Sequence, residues 1–567
     1  HHCHSRRPRC LQPEDQAQSV YLFRERAAER ELEGGPHCWE TNGDEHRYDG
    51  TWIGQFHKTL PHNNLGEVEP GAYEALQDCV STGDLQICEK IPTGGGVQLT
   101  NPLGGLAIPA GGVDRREKGS HMAAQMAEVY WMSILRDIPF THYGDHPLTV
   151  QAAASLSSMP GYVGFDRPMN PGGSVDPAKH LFRCTFPGVT AGPLVSQASR
   201  YFDILHFVVA SYVLDGTRVR PKIAAPTPGY DFMTDYDEWL AIQNGQEPSE
   251  GAALETKPGY VRTARDLGRL AGVDKFYTPY LRAALILVDE NLMTGRGTGP
   301  YTPETRSKGF ATFGLPHMLT ALGAMISSER MPWFAKWQVN RALRPEAYGG
   351  LVHNTLVGRV SPDSGSALCT GQSVWLSTVP VRGHCTAEQQ CRTIKPGAVP
   401  YFEVLPEGSP THPSHPAGHA FSAGASVTVL KVLPEGSPTH PSHPAGHAFS
   451  AGACVTVLKA FLGRKDGKRC WPEPKVPTAD GMELVPLPPS GEGGPCLTVE
   501  GELNKLAHNL SYGRQVSGVH FRGDNVEGLR MGETVAVRYL AAASGLLRGG
   551  RARTLMASRT FFKETHG

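Results

Sequence analysis

A tandem repeat of 28 residues limits the fold of this chain more than any other feature of its sequence. Residues 404–431 and 432–459 differ only where the first copy has Ser426 and the second has Cys454. Each copy contains HPSHPAGHAFSAGA, in which three histidines and two prolines lead into an apolar run. The unit is too short and too proline-rich for a solenoid repeat. Because a close-packed core has room for one segment at a given place, we expect one copy to be packed and the other to be looped out.

Outside the repeat, the prevailing pattern is helical. Apolar residues recur at helical spacing in several stretches, whereas alternating strand patterns are scarce. The predicted helices cover 122–138, 202–214, 277–293, 315–328, 332–344, 447–463 and 532–548. The sequence therefore predicts an all-α fold, and its 65 Gly and 46 Pro indicate long irregular loops between the helices.

These patterns divide the chain into three regions. Residues 1–115 are polar and rich in Gly and Pro, and we expect them to form an irregular N-terminal region that packs on the core. Residues 116–330 are predicted to form a first helical bundle, and residues 331–567 a second bundle that contains the repeat.

The charge and hydropathy of the chain argue against two classes of partner. The formal net charge is -1, so no global field favours nucleic acid. No apolar run reaches the ~20 residues of a membrane-spanning helix. The first residues, HHCHSRRPRCLQPEDQ, include neither a Met nor an apolar segment, so we see no signal peptide in a chain that looks incomplete at its N-terminus. We expect a soluble protein and leave its localisation open.

The first candidate site motif is KWQVNRALRP at 336–345. Lys336 and Arg344 are eight residues apart, which is roughly 12 Å along a helix. Pro345 is expected to end that helix at Arg344. The two long cationic side chains can therefore converge on one anion beyond the helix end, and a solvated basic helix face is the alternative.

The second motif is the histidine-rich segment of the repeat. Gly446 and His447 open an apolar helix whose first N–H groups can seat an anion, and His447 can act there as a general acid or base. A zinc site made of His440, His443 and His447 is an alternative, but a HxxHxxxH spacing interrupted by prolines is not a helical ligand spacing. The 12 cysteines also contain no CxxC pair. Surface histidines without a role are a further alternative.

The third motif is GRQVSGVHFRGD at 513–524, with Arg514, His520 and Asp524. His520 and Asp524 are four residues apart, so in a helical turn the carboxylate can hold one ring nitrogen and leave the other basic. Together the three motifs supply three cations, a helix N-terminus, an acid–base histidine and an oriented nucleophilic histidine. This set suits a tetrahedral oxyanion attached to an imidazole nitrogen.

In this order, the motifs KWQVNRALRPEA, PEGSPTHPSHPAGHA and GRQVSGVHFRGD resemble those of the vanadium-dependent bromoperoxidases of marine algae. That family belongs to a superfamily shared with bacterial-type acid phosphatases, and the likeness covers roughly 50–567. The resemblance implies a fold of two four-helix bundles, usually assembled into an oligomer. It also implies that hydrogen peroxide oxidises bromide or iodide to a hypohalous species, which halogenates an organic acceptor.

The resemblance further implies a role for each motif residue. One vanadate per subunit is expected to bond to His520 and to be held by three cations and one amide: Lys336, Arg344, Arg514 and Gly446. His447 is expected to help hydrogen peroxide replace a vanadate oxygen. His440 matches a histidine that is often placed near the halide.

One departure from the family concerns the residue before the Gly-His pair. The family usually has a Ser whose hydroxyl bonds vanadate, whereas this chain has Ala445, and Ala417 in the first copy. The loss of one hydrogen bond to a charged group costs about 1.5–3 kcal/mol, which predicts weaker vanadate binding or turnover. We expect the second copy, with His447, to form the site rather than the first, with His419, because Cys454 and KAFLG continue its helix in the family's manner.

The sequence leaves two other hypotheses open. A phosphohydrolase could use the same residues, with His520 attacking phosphorus and His447 protonating the leaving group. Alternatively, the repeat could block the site and leave a folded but inactive protein.

Overall fold

In the part of the chain that the computed structural model describes, α-helices dominate. The described residues are 61–69, 71–72, 75, 118–143, 146–157, 181–182, 213–214, 217–218, 222–229, 231–233, 235–244, 246, 253–273, 276–290, 292, 310, 313–329, 331–332, 336, 344–356, 359, 442–462, 475–486 and 498–546.

The described helices are α1 (Lys118–Leu135), α2 (Pro147–Ser157), α3 (Tyr236–Gln243), α4 (Ala264–Val273), α5 (Thr278–Asp289), α6 (Leu315–Ser327), α7 (Pro345–Leu356), α8 (Gly446–Phe461), α9 (Val499–Val516) and α10 (Arg522–Leu546). Two small antiparallel pairs join β1 (Val213–Leu214) to β2 (Thr217–Arg218) and β3 (Lys475–Pro477) to β4 (Leu484–Pro486). The predicted all-α class is confirmed. None of the helices in these described stretches combines the length and the apolar composition that crossing a bilayer requires.

Local sequence signals account for several helix starts. Asp235 caps α3 by accepting a hydrogen bond from the Glu238 amide at 2.8 Å, and Thr498 caps α9 by accepting one from the Gly501 amide at 3.1 Å. Such caps satisfy N–H groups that have no partner inside the helix. Helices α5 and α6 instead carry a proline in their first turn, where the missing N–H costs nothing.

Helix α8 lies at the centre of the core and is buried along its whole length. It packs most extensively against α10, and also against α9 and α6. Its crossing with α10 depends on glycine: a Cβ on Gly532 would lie 2.0 Å from the Phe449 carbonyl oxygen, and one on Gly452 would lie 2.2 Å from the Leu529 carbonyl oxygen. The two backbones therefore approach to a distance that other residues do not allow.

A buried polar network ties α1 to the α9–α10 pair. The Glu128 carboxylate accepts hydrogen bonds from Arg522 Nε at 2.8 Å and from Gln515 Nε2 at 3.1 Å. Arg522 also pairs with the second oxygen of Glu128. Because Arg522 opens α10 and Gln515 is near the end of α9, the network sets the position of the loop that joins these two helices.

A segment of the N-terminal region, 61–69, packs on α3 and α7. The Tyr236 hydroxyl donates to the Asn64 carbonyl at 3.0 Å, and Asn354 Nδ2 donates to the Leu65 carbonyl at 2.8 Å. The boundaries assigned to the three sequence regions stay a prediction.

Five predicted helices correspond to described ones. The stretches 122–138, 277–293, 315–328 and 447–463 overlap α1, α5, α6 and α8, and 532–548 covers the second half of a longer α10. Two other predicted helices, 202–214 and 332–344, lie mostly outside the described residues. The helix prediction is wrong at 213–214, which pairs with β2 as a strand.

Five described helices, α2, α3, α4, α7 and α9, were not predicted. Helices α4 and α9 contain glycines, which lower helix propensity. Gly513 of α9 packs on α4, where an added Cβ would lie 2.6 Å from Ala271 Cβ. Gly268 of α4 packs on the end of α9, where an added Cβ would lie 2.8 Å from Ser517 Oγ. Close packing between the helices therefore outweighs the propensity. The sequence predicts only that Pro345 ends a helix at Arg344. In the structure, Pro345 is the first residue of α7.

Candidate active site

The site is centred on His520, in the short connection between α9 and α10. Asp524 lies in the first turn of α10, and its Oδ2 is 3.1 Å from His520 Nδ1. The Phe521 amide donates to the same oxygen at 2.9 Å, so the carboxylate is held against the loop that carries His520. Both side chains are buried.

The other ring nitrogen of His520 faces Arg344. Arg344 Nη1 donates to the Val519 carbonyl at 2.6 Å and lies 3.2 Å from His520 Nε2. A guanidinium has no acceptor atom, so Nε2 can only accept in this contact. The geometry therefore assigns the proton to Nδ1, where Asp524 accepts it, and leaves the lone pair on Nε2.

The electrostatics agree with a neutral His520 ring and an ionised Asp524. Burial lowers the pKa of His520 well below its ordinary value, and the positive charge of Arg344 lowers it further against the opposing effect of Asp524. Burial alone raises the pKa of Asp524. Its hydrogen bonds with His443 and His520 outweigh burial and hold the pKa well below its usual range.

Two more cations complete a set that we call the cation cluster: Lys336, Arg344 and Arg514. All three side chains are buried. Burial lowers the pKa of Lys336 well below its ordinary value, and the charges of Arg344 and Arg514 lower it further, although Asp524 and Glu329 oppose them. Arg344 and Arg514 are therefore close enough to Lys336 to destabilise its charge.

The N-terminus of α8 meets this loop directly. The Ala445 amide donates to the Asp524 carbonyl at 2.9 Å, and a Cβ on Gly528 of α10 would lie 2.6 Å from the Ala445 carbonyl oxygen. Ala445 is the N-cap of α8 and makes no side-chain capping hydrogen bond. The first N–H groups of α8, beginning at Gly446, thus lie at a helix end that attracts negative charge.

His447 occupies the first turn of α8 and is also buried. Its ring packs on the Phe276 ring, with centroids 4.0 Å apart and planes inclined by 43°. Phe276 is in the connection before α5, and this contact holds the imidazole on one side.

Four residues of the site were missed by the sequence analysis or given no part in binding the oxyanion: Ser442, His443, Phe276 and Glu329. Ser442 Oγ donates to Asp524 Oδ2, and His443 Nδ1 is 3.3 Å from Asp524 Oδ1. Ser450 of α8 donates to Glu329, whose negative charge acts on Lys336. Ser442 and His443 could have been predicted to lie in the site, because they stand just before the Gly446-His447 pair in the sequence. No feature of the sequence indicated Phe276.

The two remaining candidates, His440 and His419, lie outside the described residues, as does the whole first copy of the repeat. The second copy contributes 442–459, including the start of α8. Among the described residues, no group of three His, Cys, Asp or Glu side chains is arranged to hold a metal cation.

The donor set fits a tetrahedral oxyanion. It combines three buried cations, the N–H groups of a helix start and one imidazole lone pair, against the carboxylates of Asp524 and Glu329. Charged donors and helix N-termini bind anionic oxygens strongly. Buried cations destabilise one another unless anionic groups pair with them, and a bound oxyanion would supply such groups.

Comparison with known proteins identifies the family. A curated vanadium-dependent bromoperoxidase of Ascophyllum nodosum is 36% identical over 93% of this chain and 88% of its own length. The chain belongs to the vanadium-dependent bromoperoxidase family. A vanadium-dependent bromoperoxidase of Corallina pilulifera is 27% identical over 94% of this chain and 95% of its own length.

A similarity to bromoperoxidases is also found in the three-dimensional structure, and a domain family matches part of the C-terminal region. The homohexameric second vanadate-dependent bromoperoxidase of Ascophyllum nodosum superposes with a TM-score of 0.64 and 34% identity, over 95% of this chain and 87% of that one. The domain family described as the VCPO second helical-bundle domain matches residues 432–549. This match starts at the first residue of the second copy of the repeat and includes α8, α9 and α10.

Proposed function

We propose that this protein is a vanadium-dependent haloperoxidase. In this reaction hydrogen peroxide oxidises bromide, or iodide, to a hypohalous species that halogenates an organic acceptor. The observation that carries the proposal is the environment of His520, whose Nε2 lone pair faces buried cations while Asp524 holds its Nδ1 proton.

Each residue of the site would contribute in a way that follows from its position. His520 would bond one vanadate per subunit through Nε2, and its tautomer is maintained by Asp524. The cation cluster would neutralise the oxygens of the anion, and the Gly446 amide would donate to one of them. Vanadate, when bound, would supply Lewis-acid activation of the peroxide, and the oxidation state of vanadium would not change.

His447 is the proposed acid–base group. It lies two residues after Ala445, whose amide is bonded to Asp524, so it shares the helix end with the Gly446 amide. A ring nitrogen of His447 can accept a proton from entering hydrogen peroxide and return it to a departing oxygen. The ring of Phe276 keeps the imidazole in place for both transfers. His440 stays a proposed neighbour of the halide.

We also propose that the protein forms a homo-oligomer, since its structural relative from Ascophyllum nodosum is homohexameric. The second copy of the repeat is proposed to form the site, because its residues 442–459 supply the end of α8 that contacts Asp524. His419 of the first copy then has no catalytic part.

The test is bromination of a phenol dye by the purified protein reconstituted with vanadate, with hydrogen peroxide and bromide as substrates. We expect turnover that requires vanadate and that excess phosphate inhibits. His520→Ala should lower the rate by about 10³-fold, the upper end of the range for the loss of one pre-organised group. A matched control is His353→Phe, a buried histidine that stacks on Tyr236 outside the site, and it should keep the wild-type rate.

Two outcomes would contradict the proposal. Steady hydrolysis of a phosphate monoester without vanadium, together with no bromination, would favour the phosphohydrolase. Activity that emerges only after deletion of 404–431 would show that the repeat inactivates the full chain. We expect instead comparable bromination by the full chain and by the deletion variant.

A further inference from the structure

The carboxylate of Asp524 is shared between two buried histidines. Its Oδ2 lies 3.1 Å from His520 Nδ1, and its Oδ1 lies 3.3 Å from His443 Nδ1. An ionised carboxylate only accepts hydrogen bonds, so both imidazoles donate through Nδ1. His443 is 2% exposed, and water has little access to its contact with Asp524.

The two oxygens of this carboxylate are supported unequally. Oδ2 accepts from His520, from the Ser442 hydroxyl and from the Phe521 amide. Within the described part of the chain, His443 is the one donor to Oδ1. Removal of His443 would leave a buried carboxylate oxygen without a donor, which costs free energy and favours rotation or protonation of the carboxylate.

From this geometry we propose that His443 is a positioning residue that orients Asp524 and thereby keeps the Nε2 lone pair of His520 directed at the oxyanion seat. The inference rests on the proposed oxyanion site. His443 would not contact the oxyanion itself and would act on it through Asp524 and His520. Groups that orient a ligating histidine typically change affinity by 10–100-fold when they are removed.

Three substitutions separate hydrogen bonding from packing. His443→Phe fills the space without a donor. His443→Asn places its amide nitrogen on Cγ, where the Nδ1 of histidine stands, and so keeps the donor to Asp524. His443→Gln carries its amide nitrogen one carbon further along the side chain and does not reproduce that position. His353→Phe repeats the first substitution at a buried histidine outside the site.

The measurement is the equilibrium affinity of the vanadium-free protein for orthovanadate, with orthophosphate as a second probe, and both use the full chain. We expect His443→Phe and His443→Gln to weaken both affinities by about 10-fold, and His443→Asn and His353→Phe to stay close to the wild type. The unfolding temperature of each variant identifies any general loss of structure.

Equal affinities in the wild type and in His443→Phe would overturn the positioning role while leaving the oxyanion site intact. A failure of His443→Asn to restore affinity, with its folding preserved, would also overturn it, because the hydrogen bond would then not matter. A wild-type protein that binds neither anion would overturn the oxyanion site itself, and the role of His443 with it.

Discussion

Two largely buried groups of charges in this molecule have opposite characters. The first, which we call the ion cluster, consists of Arg136, Asp137, Asp231 and Arg265. Arg265 Nη2 lies 2.7 Å from Asp137 and 3.0 Å from Asp231, and Arg136 Nη1 lies 3.0 Å from Asp231. The second is the cation cluster, in which the charges of Arg344, Arg514, Asp524 and Glu329 all act on Lys336.

The pKa values reflect this difference. In the ion cluster, burial lowers the pKa of Arg265, but its hydrogen bonds and ion pairs with Asp137 and Asp231 reverse the effect and raise it above its ordinary value. In the cation cluster, burial lowers the pKa of Lys336 and the neighbouring arginines lower it further. Arg136 is an exception within the ion cluster, because burial and the charge of Arg265 leave its pKa lowered despite Asp231.

The ion cluster has the features of a structural group of charges, whereas the cation cluster has those of a binding site. The ion cluster balances two cations with two carboxylates and joins the end of α1 to the start of α4, where the Arg265 amide also donates to the Arg136 carbonyl at 2.9 Å. It needs no ligand. In the cation cluster the charges of Arg344 and Arg514 lower the pKa of Lys336, and a bound oxyanion would offset this repulsion.

The largest effect on stability is expected when an ion pair of the ion cluster is broken. Arg265→Met should lower the free energy of unfolding by about 3 kcal/mol, at the lower end for a broken buried ion pair, because Asp137 keeps 31% exposure. Chemical denaturation measures this loss. Arg530→Met is the control, since Arg530 pairs with Glu527 on the surface at 2.7 Å, and such pairs contribute at most about 1 kcal/mol. Equal losses in the two variants would contradict the structural role of the ion cluster.

The opposite result is expected in the cation cluster. Lys336→Met should weaken orthovanadate binding by about 10–100-fold, which corresponds to one hydrogen bond to a charged group. It should lower the unfolding temperature of the vanadium-free protein less than Arg265→Met does, because burial and the neighbouring arginines already disfavour the charge of Lys336. Lys459→Met is a matched control: Lys459 is buried in α8 and donates to Asn504 Oδ1 at 3.0 Å. That control should lose stability and keep its affinity for vanadate, and the reverse pattern would remove the distinction between the clusters.

A neutral hydrogen-bond donor at the N-terminus of α8 should act on affinity without adding charge to the cation cluster. Ala445→Ser should strengthen orthovanadate binding by about 10-fold, since a hydrogen bond to a charged group contributes about 1.5 kcal/mol or more. Ala445→Gly separates this effect from helix capping, because glycine caps a helix almost as well as serine but has no hydroxyl. A gain in unfolding temperature without a gain in affinity would show that the serine acts only as a cap.

The smallest expected effect is the acid sensitivity of the ion cluster. Burial raises the pKa of Asp137, but its hydrogen bond and ion pair with Arg265 outweigh burial and lower it below 3.8. A carboxylate with a lowered folded-state pKa stabilises the fold above its unfolded pKa, and this stability is lost as the pH falls through the folded-state value. The difference in unfolding free energy between the wild type and Asp137→Asn should therefore narrow below about pH 3.8. A constant difference across that range would contradict the ion pair.

Much of the site could be predicted from short motifs. Lys336, Arg344, Arg514, His520 and Asp524 are candidates because their types suit an oxyanion bound to a histidine and because their motifs resemble those of the vanadium-dependent bromoperoxidases. The helices with continuous apolar patterns, such as α8, could be predicted as well. Helix α9 could not, because its Gly513 is unfavourable in an isolated helix and becomes suitable only against Ala271.

The all-α class and the residue types that can gather around an anion are encoded in the sequence, because both follow from local spacing. The meeting of α8 with α10 through Gly452 and Gly532, and the contact of His443 with Oδ1 of Asp524, are visible only in the folded structure. Contacts of this kind join residues about 80 positions apart, since His443 and Asp524 are separated by 81 residues in the chain. They depend on close backbone packing, which a linear pattern of residue types does not encode.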